Sequence, residues 1–211
     1  MAHSPIRLGM TNPGVFSNPA SGEYQSFAIG ARFSSLTAVP LQFKGAPDAD
    51  VTRLPARKGF ADLLQLCYEP ADVAWITATR VDDGYLWFSF KDPSVLNSTL
   101  FWIENHGRHS FPWNGRNHCL GIEDVTSYFA EGLAASSKPN VLNKEGVKTA
   151  LEFSADRPTS IRYIQGVAQV PAGFDQVQTV EFSPGEATFV STGGQRASVP
   201  VKHEFLQTGK L

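Results

Sequence analysis

A regular alternation of apolar and polar residues constrains this chain more than any other feature. In the run 85–90 the apolar residues Leu86, Phe88 and Phe90 stand at every second position. Side chains alternate between the two faces of a strand, so this run predicts a half-buried β-strand. The Asp-Asp-Gly sequence directly before it is typical of a hairpin turn, with residues 74–81 as the preceding strand.

Strand-like runs separated by turn residues recur along the chain, and helical patterns are scarce. In the run 160–168, Ile161, Tyr163 and Val167 are predicted to share one face. Residues 44–59 are rich in Pro, Gly and Asp and predict a loop. A short helix is expected over 127–135, capped by Thr126. The clearest predicted strands cover residues 24–33, 74–81, 85–91, 98–104, 147–153, 160–168, 178–182 and 187–192. We therefore expect an all-β fold, a single antiparallel β-sandwich domain over 1–211.

Charge and cysteine usage exclude several function classes. Only 18% of the residues are charged and the formal net charge is −2. With no cluster of Lys and Arg, neither nucleic acid nor a membrane surface is an expected partner. The chain starts without an apolar leader and has no apolar run of about 20 residues, which predicts a cytoplasmic protein. Cys67 and Cys119 are expected to be two buried thiols in a reducing compartment. No phosphate-binding glycine loop or Gly-x-Ser-x-Gly motif is present, so neither a nucleotide cofactor nor a serine hydrolase is supported.

Chemistry-bearing side chains concentrate in residues 105–125. This stretch holds three histidines, two arginines, two carboxylates and a tryptophan, interrupted by Gly and Pro. It carries too much charge to be buried without partners. We interpret it as a polar pocket wall that ends in a strand and is suited to a hydroxyl-rich ligand.

Glu123 is the first candidate catalytic residue. Apolar neighbours such as Ile122 and Val125 would desolvate its carboxylate and favour the protonated form, the adjustment that a general base needs. The alternative is a structural ion pair between Glu123 and Arg108 or Arg116.

The turn before this strand supplies candidate binding residues. Arg108 and Arg116 can each donate paired hydrogen bonds to sugar hydroxyls or carboxylates. Trp113, with Phe111, could stack on the apolar face of a ring ligand. The alternative is a tight turn in which Trp113 closes the end of the sandwich.

Three histidines stand near these residues, at positions 106, 109 and 118. His106 and His109 are three apart, which on a strand places them on opposite faces, and no standard zinc spacing is present. We therefore expect no metal. One of them could act as an acid or base, although a packed or surface histidine is the more common outcome.

Several of these segments occur in an order that resembles a known superfamily. The strand Thr99–Ile103 is followed by a stretch with Arg, Pro-Trp and Gly-Arg, and then by the Gly-Ile-Glu strand Leu120–Glu123. A loop with Asn140, Leu142 and Gly146 comes next, and Leu8–Phe16 is similar to the segment that carries the family's catalytic histidine. The chain thus resembles the galactose mutarotase-like superfamily, which includes the aldose 1-epimerases.

This resemblance implies a large antiparallel β-super-sandwich and an activity. The expected reaction interconverts sugar anomers: a glutamate takes the proton of the anomeric hydroxyl and a histidine protonates the ring oxygen, so the ring opens and recloses. Only protons move, and no cofactor is required. By this match Glu123 is the base.

The chain departs from the family pattern in three ways. Asp124 stands where the family has proline after the glutamate. Met10 or Thr11 occupies the histidine position, so His109 or His106 would have to be the acid. Further strands would be expected before residues 8–16.

Three hypotheses follow from these observations. The first is an aldose 1-epimerase-like isomerase acting on a small carbohydrate. The second is a non-catalytic carbohydrate-binding protein on the same fold, using Arg108, Trp113 and Arg116. The third, a metal enzyme using the three histidines, requires their rings to converge. An open sheet edge would also favour pairing with a second copy.

Overall fold

β-strands dominate the computed structural model, which describes residues 1–210. The strands are β1 Ala2–His3, β2 Ile6–Thr11, β3 Arg32–Phe33, β4 Phe60–Tyr68, β5 Ala74–Arg80, β6 Tyr85–Lys91, β7 Ser98–Asn105, β8 His118–Val125, β9 Tyr163–Gln169, β10 Val177–Ser183, β11 Glu186–Ser191 and β12 Arg196–Pro200. The helices are α1 Leu133–Ser136, α2 Val141–Lys144 and α3 Phe205–Thr208, with a 3₁₀ turn at Pro19–Ser21.

The strands form three sheets in two compact units. Unit 1 comprises residues 1–5, 68–96 and the described chain from 152 onward, and unit 2 comprises residues 6–67 and 97–151. The sheets have the orders β1-β5-β6-β9, β10-β11-β12 and β3-β2-β4-β7-β8. The antiparallel pairs are β1–β5, β5–β6, β6–β9, β10–β11, β11–β12, β2–β3, β4–β7 and β7–β8. The prediction of a mainly antiparallel β fold is confirmed, whereas a single domain with the superfamily's architecture stays a prediction.

Unit 1 packs its two sheets through an aromatic core. Phe88 lies 5.0 Å from Phe189 between ring centroids, and Phe90 lies 5.1 Å from Phe182. Leu86, Phe88 and Phe90 are all buried, as their alternation predicted. The turn over residues 81–84 joins β5 and β6 as expected, with Gly84 at a positive φ of 67°.

Strand β9 alternates as predicted, but the face predicted to be buried, which carries Tyr163 and Val167, points to solvent. Tyr163 and Val167 are exposed, while Ala168 is buried. Gly166 faces inward, where a Cβ would meet the Phe88 ring at 2.7 Å. Ile161 lies before the strand. The largest apolar residues therefore mark the wrong face, because the core admits only small side chains beside Phe88.

Unit 2 contains a five-stranded sheet around β4, a strand that alternation did not reveal. Eight of its nine residues are buried, so both faces lie in the interior and the run has no period of two. On one face Leu63 and Leu100 pack with Phe129 and Leu142 from the segments that cover the sheet. This face carries the candidate site.

Two other predictions in unit 2 are wrong because tertiary hydrogen bonds hold the chain. Residues 24–33 form only an isolated bridge and β3, because the Asp62 carboxylate accepts the N–H groups of Ser26 and Phe27. Gln65 accepts the N–H of Phe129 at 3.0 Å, and the backbone around it is a turn. The helix predicted over 127–135 is therefore limited to α1, which begins after Gly132 and not after Thr126.

The predicted strand over 147–153 is also absent, whereas the loop over 44–59 is confirmed. Thr149 donates from Oγ1 to the Ser136 carbonyl at 2.7 Å and so ties this segment to α1. Both cysteines are unpaired, but only Cys67 is buried. Burial raises the pKa of the Cys67 thiol to about 11. The expectation of a second buried thiol is wrong, since Cys119 is exposed.

Among residues 1–210, no helix combines the length and apolar character needed to cross a membrane.

Candidate functional site

Two buried glutamates hold the loop that follows β7. Glu104, the second-last residue of β7, accepts the N–H groups of Gly107 and Arg108 at 2.9 and 3.0 Å. Glu23 accepts the N–H groups of His109 and Ser110, both at 2.9 Å, and the Ser110 hydroxyl at 2.6 Å. Consecutive backbone donors of residues 107–110 are thus bound to carboxylates, which fixes the loop that presents the predicted binding residues.

The loop that Glu23 holds stabilises the ionised form of the Glu23 carboxylate. The hydrogen bond from the Ser110 hydroxyl, the two backbone N–H groups and the charge of Arg108 together lower its pKa to about 2, although burial opposes this. Arg108 Nη1 lies 3.4 Å from Glu23 Oε2. The ion pair considered for Arg108 therefore exists, but its partner is Glu23 and not Glu123.

Arg108 also stacks on an aromatic ring. Its guanidinium carbon lies 4.3 Å from the centre of the Phe16 ring. Phe16 in turn packs against the apolar cluster on the sheet face. The Arg108 side chain is about one-fifth exposed. A partly buried guanidinium held between a carboxylate and a ring keeps N–H donors in a fixed direction.

A third buried carboxylate, Asp62, behaves differently from Glu23. Burial raises its pKa, with a further contribution from nearby Glu104, although Ser26 and the Phe27 N–H oppose the rise. Glu104 faces Ala61, the residue beside Asp62, across the β4–β7 pair. The interior of this end of the sheet therefore contains carboxylates in unequal electrostatic settings.

Trp102 forms the floor of the candidate site. The strand register places Leu63 and Gly121 on either side of Trp102, on β4 and β8. Because Gly121 has no side chain, no Cβ stands beside Trp102 on the β8 side: a Cβ at this glycine would lie 3.3 Å from Trp102 Cβ. Trp113 packs edge-on against Trp102, with ring centroids 5.5 Å apart.

Glu123 reaches over this gap from two residues further along β8. Its Oε1 would lie 3.0 Å from a Cβ at Gly121. The carboxylate therefore stands on the Trp102 face of the sheet, as expected for a ligand-facing group. The desolvation expected from its apolar neighbours is absent, however, because the β8 backbone leaves Glu123 exposed.

Polar atoms without a partner also mark this face. Within the described residues, Trp102 Nε1, Asn12 Oδ1 and Glu104 Oε2 are buried and accept or donate no hydrogen bond. The N–H of Asn12 donates to the Leu63 carbonyl, so Asn12 lies in the same row of the sheet as Trp102. Buried polar groups almost always have partners, and a bound polar molecule is one way to supply them.

Two of the histidines lie away from Glu123. His118 and Glu123 are five residues apart on β8 and point to opposite faces. The His106 ring stacks on that of His118, with centroids 6.1 Å apart, and His106 Nδ1 bonds to the Gly115 carbonyl oxygen at 2.8 Å. The geometry therefore does not pair His106 with Glu123.

Of the two histidines predicted as the acid, only His109 is not directed away from Glu123 by the contacts described above. It is exposed, and its backbone is held by Glu23. The family's histidine position offers no substitute: Met10 is buried in the apolar cluster, and Thr11 Oγ1 accepts the Ala31 N–H at 2.8 Å. Among residues 1–210, no three His, Cys, Asp or Glu side chains are grouped to bind a metal, so the metal-enzyme hypothesis has no site.

The other predicted binding residues lie on the surface of the turn. Trp113 is 39% exposed and Phe111 is 97% exposed. Arg116 is exposed, and its N–H donates to the Trp113 carbonyl at 3.1 Å. Four residues of the candidate site were not predicted from the sequence: Trp102, Asn12, Glu23 and Glu104. Alternation of Leu100 and Trp102 along β7 could have revealed Trp102, but Glu23 is remote in sequence and carries no local signal.

Comparison with models of known protein families, with curated proteins and with solved structures found no match to this chain.

Proposed function

We propose that unit 2 binds a small carbohydrate on the Trp102 face of its sheet. The observation that carries this proposal is the buried Trp102 Nε1 donor without a partner, beside the gap at Gly121. A sugar offers both the apolar ring face that an indole prefers and the hydroxyl oxygens that an unpaired donor needs. Trp113 and Glu123 supply a second aromatic surface and a hydrogen-bond acceptor at the rim.

Arg108 is the proposed positioning residue for this ligand. Its contacts with Glu23 and Phe16 fix the guanidinium, so less conformational freedom is lost when a hydroxyl binds to it. Arg116 and Phe111 are exposed on the same turn and are proposed to contact only the outer part of a longer ligand. A cytoplasmic location, expected from the composition, likewise stays a prediction.

Binding can be tested with D-glucose and D-galactose by ligand-observed NMR and calorimetry. Replacing Trp113 by Ala or Glu123 by Gln should weaken the affinity roughly fivefold or more, since one aromatic contact or hydrogen bond contributes about 1 kcal/mol. Phe153→Ala removes an aromatic that is 66% exposed in unit 1 and serves as the matched control. If no aldose binds, or if the control weakens binding equally, the proposal is wrong.

Aldose 1-epimerase activity is the second candidate function. It is favoured by the Glu123 carboxylate, which stands on the Trp102 face above Gly121. In this mechanism Glu123 removes the proton of the anomeric hydroxyl and His109 protonates the ring oxygen, so the bond from C1 to the ring oxygen breaks. The C1 carbonyl of the open chain then turns about the C1–C2 bond, and the ring closes on its other face.

Polarimetry of freshly dissolved α-D-glucose separates the two candidates. If the protein is an epimerase, it accelerates the change in rotation, and Glu123→Gln and His109→Ala each reduce the rate roughly a hundredfold. His118→Ala, a change at an exposed residue on the opposite face of β8, should leave the rate unaltered. Binding without any acceleration over buffer would support the non-catalytic function and contradict the epimerase.

A further inference from the structure

Strand β9 differs from every other edge strand among residues 1–210. The outermost strands of the three sheets are β1, β9, β10, β12, β3 and β8. An edge strand exposes unpaired N–H and C=O groups, and natural proteins protect it by shortness, charge or proline. Strands β1 and β3 are two residues long. Strands β8, β10 and β12 carry Glu123 and Asp124, Glu181, and Arg196 with Pro200, respectively.

None of these protections is present in β9. Its seven residues, Tyr-Ile-Gln-Gly-Val-Ala-Gln, contain no charge and no proline. It pairs with β6 over its full length without a register shift, from Lys91 opposite Tyr163 to Tyr85 opposite Gln169. Alternate backbone groups of a regular edge strand point away from its partner. Over Ile164–Gln169 the edge of β9 is therefore uncharged and carries backbone groups that point away from β6.

A groove opens beside the first half of β9. An open groove of about 460 Å³ separates Tyr163, Ile164 and Gln165 from Val201, Lys202 and Phe205 of the same unit. No backbone hydrogen bond outside the sheet involves Ile164–Gln169 in the described chain. A paired strand would lie about 4.8 Å from β9.

Exposed apolar residues on the outer face of the sheet extend the same surface. Val167 is 62% exposed and Tyr163 36% exposed. Trp87 lies directly opposite Val167 on β6. A strand that adds to β9 would cover part of these side chains.

We propose that β9 pairs antiparallel with β9 of a second copy of this chain and forms a twofold dimer. A twofold axis at Gly166 would place Tyr163 opposite Gln169 of the other copy and Gln165 opposite Val167. Each chain then meets its own uncharged strand, so no like charges oppose one another and every position has a partner. The two four-stranded sheets become one sheet of eight strands.

Sedimentation velocity and light scattering over a wide range of protein concentration test the dimer. The wild-type chain should show twice the 23.0 kDa mass of one chain. Val167→Lys, which replaces an exposed residue and brings two positive charges together at the axis, should raise the dimer Kd at least about tenfold. Val81→Lys is the matched control, because Val81 is 58% exposed in the β5–β6 turn and outside the edge.

Cross-linking tests the register independently of these variants. In a Cys119→Ser background, Gln165→Cys combined with Val167→Cys should give a disulfide-linked dimer on mild oxidation, and Val81→Cys should not. A wild-type chain that stays monomeric at all concentrations overturns the proposal. Equal dissociation by Val167→Lys and Val81→Lys, or no cross-link in a wild-type dimer, overturns the β9 interface.

Discussion

The two units differ in how their main features are held, although each buries charge, Lys91 in unit 1 and carboxylates in unit 2. Unit 1 holds Phe88, Phe90 and Phe189 between two sheets, with Phe189 fully inaccessible. Unit 2 has an apolar cluster on one face of its sheet, but it also buries the carboxylates of Glu23, Asp62 and Glu104. Aromatic packing stabilises the first unit, whereas the loop of the second is held by hydrogen bonds to buried charge.

This difference shows how one chain separates stability from site geometry. Packed aromatic rings resist volume changes but do not orient a polar loop. Carboxylates that accept consecutive N–H groups fix such a loop but depend on their ionisation. The loop at 105–117, with its exposed Trp113 and Arg116, is held by such hydrogen bonds to carboxylates.

Truncating the core of unit 1 should have the largest effect. Phe189→Ala leaves a cavity beside Phe88 and Phe90 and should lower the free energy of unfolding by about 3–5 kcal/mol. Chemical denaturation measures the loss, and hydrogen exchange locates it in residues of unit 1. Phe153→Ala, at an exposed aromatic of the same unit, should change stability by less than about 0.5 kcal/mol. Equal losses in the two variants would contradict the packing argument.

Neutralising Glu23 should have a smaller effect, confined to unit 2. Glu23→Gln keeps the size of the side chain but removes the charge that Ser110, His109 and Arg108 bind, and should cost about 1.5–3 kcal/mol. Hydrogen exchange at the His109 and Ser110 amides should accelerate. Unchanged exchange at these amides would show that Glu23 does not hold the loop.

The Glu23 contribution should also depend on pH in one direction. Its pKa is lowered from 4.5 in the unfolded chain to about 2 in the folded chain, so the folded state binds fewer protons between these values. The stability difference between wild type and Glu23→Gln should therefore be constant above about pH 5 and shrink as the pH falls through about 2. A difference that stays constant down to pH 2 would contradict this assignment.

Neutralising Asp62 should have the smallest effect of the three. Burial raises the pKa of Asp62 and disfavours its charge, so an amide loses little electrostatic energy. An asparagine oxygen can still accept the N–H groups of Ser26 and Phe27 that Oδ1 accepts now. Asp62→Asn should change stability by less than about 1 kcal/mol. A loss as large as that of Glu23→Gln would show that the two carboxylates act alike.

Four strands were predictable from local pattern: β6 from its alternation, and the others from runs of strand-favouring residues between turn residues. Strands β5, β6, β7 and β10 agree with the predicted runs to within one residue at each end. Strand β4 was not, because burial on both faces removes the alternation. Residues 24–33 have strand composition, yet the Asp62 carboxylate 35 residues away takes their N–H groups and prevents pairing.

The candidate site was predictable in location but not in construction. The concentration of polar and aromatic residues at 105–125 identified Arg108, Trp113 and Glu123 as site candidates, and the register puts Glu123 on the Trp102 face. The same register separates His118 and the stacked His106 from that face. Histidine counts cannot reveal this, because the face of a side chain depends on where the strand begins.

The sequence by itself determined the class of structure and the place where polar chemistry concentrates. Both follow from local properties: a period of two, turn residues, and a cluster of charged and aromatic side chains. The tertiary structure alone decided which face of β9 is buried, which carboxylate binds Arg108, and which buried donors lack a partner. These depend on contacts between residues far apart in the chain, such as Glu23 with Ser110, and no local pattern specifies them.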